Sequence, residues 1–106
     1  MQGYQITFFT QHDRVHGHEP LAQWLLAQAG ALGIRGATLN GSLQGLGHDG
    51  HLHAANMFDL GDQPVQVTMV VSDDENQKLF DHLAAHGAQV FFMRSRVEFG
   101  TLGLAA

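Results

Sequence analysis

Residues 45–53, Gly45-Leu46-Gly47-His48-Asp49-Gly50-His51-Leu52-His53, place four potential ligand side chains and three glycines within nine positions. Glycine relaxes the backbone and allows close approach, while imidazole and carboxylate groups offer donors, acceptors or metal bonds near neutral pH. In extended chain, residues two apart point to one side, so His51 with His53 could chelate zinc, nickel or copper, and so could His16 with His18. His51 and His53 are the candidate metal ligands. The spacing permits a site without specifying one, because His-x-His lacks the fixed geometry of a known centre and loop histidines are commonly solvated. His82 and His86, four apart on a helix, are expected to face solvent.

A second group is Arg94, Arg96 and Glu98. Two guanidinium groups two residues apart suit an anionic ligand, and they equally suit a charged edge in which arginine pairs with Glu98 or with aspartates of a neighbouring subunit. Catalysis has little support. Ser42, Ser72 and Ser95 lie in no nucleophile-elbow context, and Gly41-Ser42 lacks the lysine of a phosphate loop. An enzyme using His53 as acid or base near Arg94 is a remote third option, and the chain is expected not to be an enzyme.

These groups need a frame. The chain has 106 residues, 44% of them hydrophobic, which fits one folded domain over residues 1–106. Ten acidic residues against five basic ones give a formal charge of -5, so no basic patch is large enough to neutralise a nucleic-acid backbone. The absence of cysteine excludes disulfides and thiolate chemistry. With no signal-like start and no apolar run of the ~20 residues a membrane helix needs, a cytoplasmic protein without membrane insertion is expected.

Tyr4, Ile6 and Phe8 alternate in a first strand over 4–10, and a turn follows at 13–17. Pro20 suits a first helical position, Leu21, Trp24, Leu25, Ala29 and Leu32 recur at helical spacing, and Gly33 offers a cap. A half-buried strand is expected over 36–45, leading directly into the glycine and histidine loop, with a short extended piece at 55–60. Val65, Val67, Met69 and Val71 alternate in the clearest strand, after a turn at 61–64. Ser72 and Glu75 then have capping-box spacing, a helix carries Leu79, Phe80, Leu83 and Ala84 on one stripe, and Gly87 ends it. A last core strand over 89–93 precedes Arg94-Ser95-Arg96 and a tail with Val97, Phe99 and Leu102.

The order is βαββαβ. Right-handed crossovers place both helices on one face of a four-stranded antiparallel sheet, giving an α+β, ferredoxin-like sandwich. Its other face carries Thr7, Phe9, Thr68, Val70, Phe91 and Met93 and needs a cover, for which a symmetric homo-oligomer is the economical answer. Trp24 and the Phe91-Phe92-Met93 run are core or interface residues first, and a stacking platform second.

Trp24-Leu25-Leu26, the run 33–38, Gly45-Leu46-Gly47, His53, the segment 62–67 and Val97-Glu98-Phe99-Gly100 together resemble the small PII-like proteins known as domain of unknown function 190. The resemblance covers nearly the whole chain, through the order and spacing of these pieces. It implies a trimer of ferredoxin-like subunits with clefts between neighbours, where PII proteins bind adenine nucleotides. It also implies a long loop between the second and third strands that touches a regulated protein. Residues 45–56 stand at that position. Two features depart from PII: the loop has no tyrosine to modify, and Ala85-His86-Gly87-Ala88-Gln89 lacks the glycine and lysine phosphate loop. The reading is thus a regulatory protein that senses a small ligand through Gly45, Gly47, His48, His53, Arg94, Arg96 and Glu98. An adenine nucleotide and a divalent metal are the two ligand classes left open. The alternative is a histidine-dependent divalent-metal-binding protein.

Overall fold

Four strands pair into one antiparallel sheet: β1 (Gln2–Gln11), β4 (Gly36–Gly41), β7 (Pro64–Ser72) and β8 (Phe91–Glu98), in the order β4-β7-β1-β8. Here β2 (Val15–His16) and β3 (Glu19–Pro20) form a minimal hairpin, and β5 (Gln44–Leu46) pairs with β6 (Leu52–Ala54) in a separate two-stranded ladder. The helices are α1 (Leu21–Ala31) and α2 (Asp73–Ala85). This computed structural model describes residues 1–41, 44–46, 52–54 and 63–103.

The ferredoxin-like order follows from the crossovers. β1 and β4 both run antiparallel to β7 and flank it, so the first half of the chain leaves a gap that β7 fills. β8 then pairs with the free side of β1. In β7 the phase is sharp: Val65, Val67, Met69 and Val71 are buried, while the residues between them are half-buried. Ile6 and Phe8 of β1 share that buried face and meet Leu21, Leu25 and Ala29 of α1 and Leu79 and Leu83 of α2. Each such Leu, Phe or Met contributes about 1.5–3 kcal/mol through removal from water.

Local signals set the helix ends. The Ser72 hydroxyl accepts from the Glu75 backbone N–H at 3.2 Å, and the Glu75 carboxylate accepts from the Ser72 N–H at 2.8 Å, completing the expected capping box. Gly33 and Gly87 adopt φ of 78° and 69° just beyond the helices, a conformation that a side chain disfavours. Pro20 differs from its expected place: it is the residue flanking α1, with ψ of 132°, and Leu21 is the first helical residue. α1 has no side-chain cap; its Leu21 N–H instead donates to the Arg14 carbonyl across the small hairpin, at 2.8 Å.

Two strand boundaries also need correction. β4 ends at Gly41, and Gln44–Leu46 belongs to the separate ladder, so no single described strand runs over 36–45. β8 extends through Glu98, whereas the expected strand stopped at residue 93 and began two residues early. The extended piece at 55–60 lies outside the described residues. No helix among the described residues is long and apolar enough to cross a membrane.

Candidate functional site

The longer β8 places Arg94, Arg96 and Glu98 in one phase of a strand at the edge of the sheet. That phase faces α2, since Phe92 in the same phase meets Phe80 of α2 with ring centroids 4.8 Å apart. Arg94 donates from Nη1 to Asn76 Oδ1 at 3.2 Å. Its guanidinium carbon lies 4.9 Å from the Phe80 ring centre, 5.2 Å from that of Tyr4 and 5.7 Å from that of Phe92. Arg96 engages both carboxylate oxygens of Asp73, through Nη1 and, at 3.1 Å, through Nη2, while its guanidinium lies 5.0 Å from the Tyr4 ring centre. The rings attract the cations through their quadrupoles without neutralising them.

The hydrogen bond to Asp73, with smaller support from Tyr4, holds the Arg96 pKa above its already high ordinary value, so the group is cationic at every working pH. The arginine partners expected from sequence are Glu98 or aspartates of a neighbouring subunit. The observed partner is Asp73 at the start of α2, 23 positions away. The sequence signal for it is the acidic first turn of that helix, Asp73, Asp74 and Glu75, where the helix dipole also favours negative charge.

In the loop, Gly45 and His53 are cross-strand partners in the β5–β6 ladder. Gly47, His48 and His51 lie outside the described residues. Of the other histidines, His86 is exposed as expected, whereas His82 is half-buried. His16 stacks on Trp24, with centroids 3.9 Å apart and planes inclined by 28°. His82 turns toward α1, where its Nε2 is 2.6 Å from Gln28 Oε1, so it is a half-buried inter-helix contact rather than a fully solvent-facing side chain. His86 packs 4.2 Å from His82 and bonds back to the His82 carbonyl through Nδ1 at 2.8 Å. Among the described residues no three histidine, aspartate or glutamate side chains come together to hold a metal.

The helix-free sheet face carries Phe9, Phe91 and Met93 beside a threonine pair. Phe9 and Phe91 sit 5.7 Å apart, Thr7 and Thr68 hydroxyls are 3.3 Å apart, and Phe91 and Met93 are 66% and 52% exposed. This is the expected uncovered face. Phe92 differs from its two neighbours, since it packs toward Phe80 and Phe8 on the helix side.

A model of the family domain of unknown function 190, described as an uncharacterized ACR, matches residues 3–99. No curated protein matches the chain. Among solved structures, a PII-like signalling protein from Thermus thermophilus aligns with a TM-score of 0.66 and 16% identity, covering 92% of this chain and 88% of that one. CPII from Thiomonas intermedia, bound to ADP and bicarbonate, aligns with a TM-score of 0.67 and 13% identity over 95% of this chain and 91% of that one. A second CPII structure, a nitrogen regulatory PII-like protein bound to ADP, AMP and bicarbonate, gives 0.67 and 14% over the same shares, 95% and 91%. At these identities the likeness is one of fold.

Proposed function

This chain belongs to the family domain of unknown function 190, and from that membership we propose that it is a PII-like regulatory protein, a single domain that assembles as a homotrimer and is not an enzyme. Each subunit senses a small anionic ligand in a cleft with its neighbour and engages a protein partner through residues 45–56. The observation that carries the reading is the combination of a helix-covered sheet with an opposite face bearing Phe9, Phe91 and Met93, two of them more than half exposed. An apolar face of that kind is costly in water and is relieved by packing against copies of itself.

The ligand-binding residues in this proposal are Arg94, Arg96 and Glu98 on β8, with Gly45, Gly47, His48 and His53 from the loop. ADP and bicarbonate, bound by CPII, are the first ligands to test. Guanidinium groups suit the phosphates of one and the carboxylate-like oxygens of the other. A cytoplasmic location fits this role.

The test combines mass and ligand binding. Light scattering at micromolar concentration should give three times the chain mass, and ADP or bicarbonate should raise the melting temperature, because a ligand that binds only the native state stabilises it. A monomer at that concentration would remove the cleft, and with it the proposal. The histidine-metal alternative has no observation among the described residues in its favour.

A further inference from the structure

The pairing of Arg96 with Asp73 occupies the group that the proposed anion site would use. A guanidinium offers a planar fork that matches any oxyanion bearing two adjacent oxygens, whether carboxylate, bicarbonate or phosphate. Asp73 fills that fork with both of its oxygens. Arg94, two residues along the same phase of β8, has only the neutral Asn76 amide as its hydrogen-bond acceptor on α2. Tyr4 lies between the two cations, 5.2 Å from one guanidinium and 5.0 Å from the other. Two positive charges therefore share one bonded carboxylate from α2. The Arg96 and Asp73 side chains are 50% and 55% exposed, so an incoming oxyanion can reach them.

We propose that Asp73 is an internal counter-ion of this site: its carboxylate holds the Arg96 fork in the free protein and is exchanged for ligand oxygens on binding. This rests on the reading of Arg94 and Arg96 as ligand-binding residues. Exchange is feasible because Asp73 opens α2, where the free N–H groups of the first turn favour a negative charge after it leaves Arg96. Its cost to the ligand is competitive, since apparent affinity is the intrinsic affinity multiplied by the fraction of molecules in which the fork is open. The same exchange links site occupancy to the first turn of α2, next to the Ser72–Glu75 capping box.

Calorimetric titration of the full chain with ADP, inorganic phosphate and bicarbonate tests this in the wild type, Asp73→Asn, Asp74→Asn, Arg96→Gln and the Asp73→Asn/Arg96→Gln double variant. Thermal melts establish that each is folded. Asp73→Asn should bind roughly three- to tenfold more tightly by the open-fraction argument, Asp74→Asn should change affinity by less than about twofold because it removes a charge without opening the fork, and the gain should vanish in the double variant. A gain with ADP and phosphate assigns the fork to a phosphoryl group, and a gain with bicarbonate alone assigns it to a carboxylate-like ligand. If the wild type binds a probe and Asp73→Asn binds it no more tightly, the counter-ion role is wrong and the ligand site stands. An equal gain in Asp74→Asn, or one that survives loss of Arg96, also overturns the counter-ion role. If neither wild type nor Asp73→Asn binds any of the three, the reading of Arg94 and Arg96 fails, and the counter-ion fails with it.

Discussion

The imidazole of His16 lies against the indole of Trp24, centroid to centroid at 3.9 Å, and so pins the β2–β3 hairpin to α1. Trp24 is the only tryptophan in the chain, which makes its fluorescence a direct report on this contact. His16→Ala should shift the emission to longer wavelength as water reaches the ring face, and should cost about 1 kcal/mol of stability, the usual worth of an aromatic pair. His18, exposed on the turn of the same hairpin, is the control: His18→Ala should leave both readings unchanged.

The reciprocal bonds between Ser72 and Glu75 satisfy two backbone donors at the start of α2. Ser72→Ala should lower unfolding stability in urea by about 1 kcal/mol with an unchanged denaturant slope. Glu75→Ala should cost less, because it leaves the Ser72 hydroxyl bond in place. A larger loss for Glu75→Ala than for Ser72→Ala would contradict this account of the cap.

Reading the sequence recovers those features whose cause is local. The alternation of Val65, Val67, Met69 and Val71, the Ser72 to Glu75 spacing and the turn glycines Gly33 and Gly87 each act within a few residues, and each reappears in the fold. Contacts across the chain are less legible. His82 meets Gln28 across a separation of 54 residues, and nothing in the helical spacing of His82 and His86 points to α1. The expected end of β8 at residue 93 falls short for a different reason: as an edge strand it alternates Phe92, Arg94 and Arg96 against Phe91, Met93 and Ser95, so neither phase is wholly apolar. The polar residues suggest an end to the strand in sequence, whereas their guanidinium groups lie over the rings of Phe80 and Tyr4 and belong to the sheet. Of the proposed ligand residues, Arg94, Arg96 and Glu98 share one strand phase, and Gly45 and His53 share one ladder position.

Gly3 approaches Val71 so closely that a Cβ on Gly3 would lie 1.8 Å from the Val71 carbonyl oxygen and 2.9 Å from the Phe99 ring. Backbone held in the sheet cannot yield as a flexible side chain would. Gly3→Ala should therefore fail to give a soluble folded protein, or lower stability beyond the ~1–3 kcal/mol typical of overpacking. Gly30 in α1 faces open space, and Gly30→Ala should raise stability by roughly 0.5–1 kcal/mol through the better helix propensity of alanine. Thermal melts of the pair therefore move in opposite directions.

Phe91 and Met93 occupy the helix-free phase of β8, beside Phe9, and bury little within their own subunit. If this face joins subunits, Phe91→Asp combined with Met93→Asp should break the assembly, because two carboxylates would have to leave water without partners. Light scattering should then report a monomer, while far-ultraviolet circular dichroism keeps its wild-type shape, since the helix-side core around Ile6, Phe8 and Met69 is untouched. Phe92→Leu is the contrasting change. It removes ring contacts to Phe80 and Phe8 on the helix side, so it should lower the melting temperature without altering the mass. An unchanged mass in the double aspartate variant would show that the subunits meet elsewhere, and the face bearing Phe9 would then need another occupant.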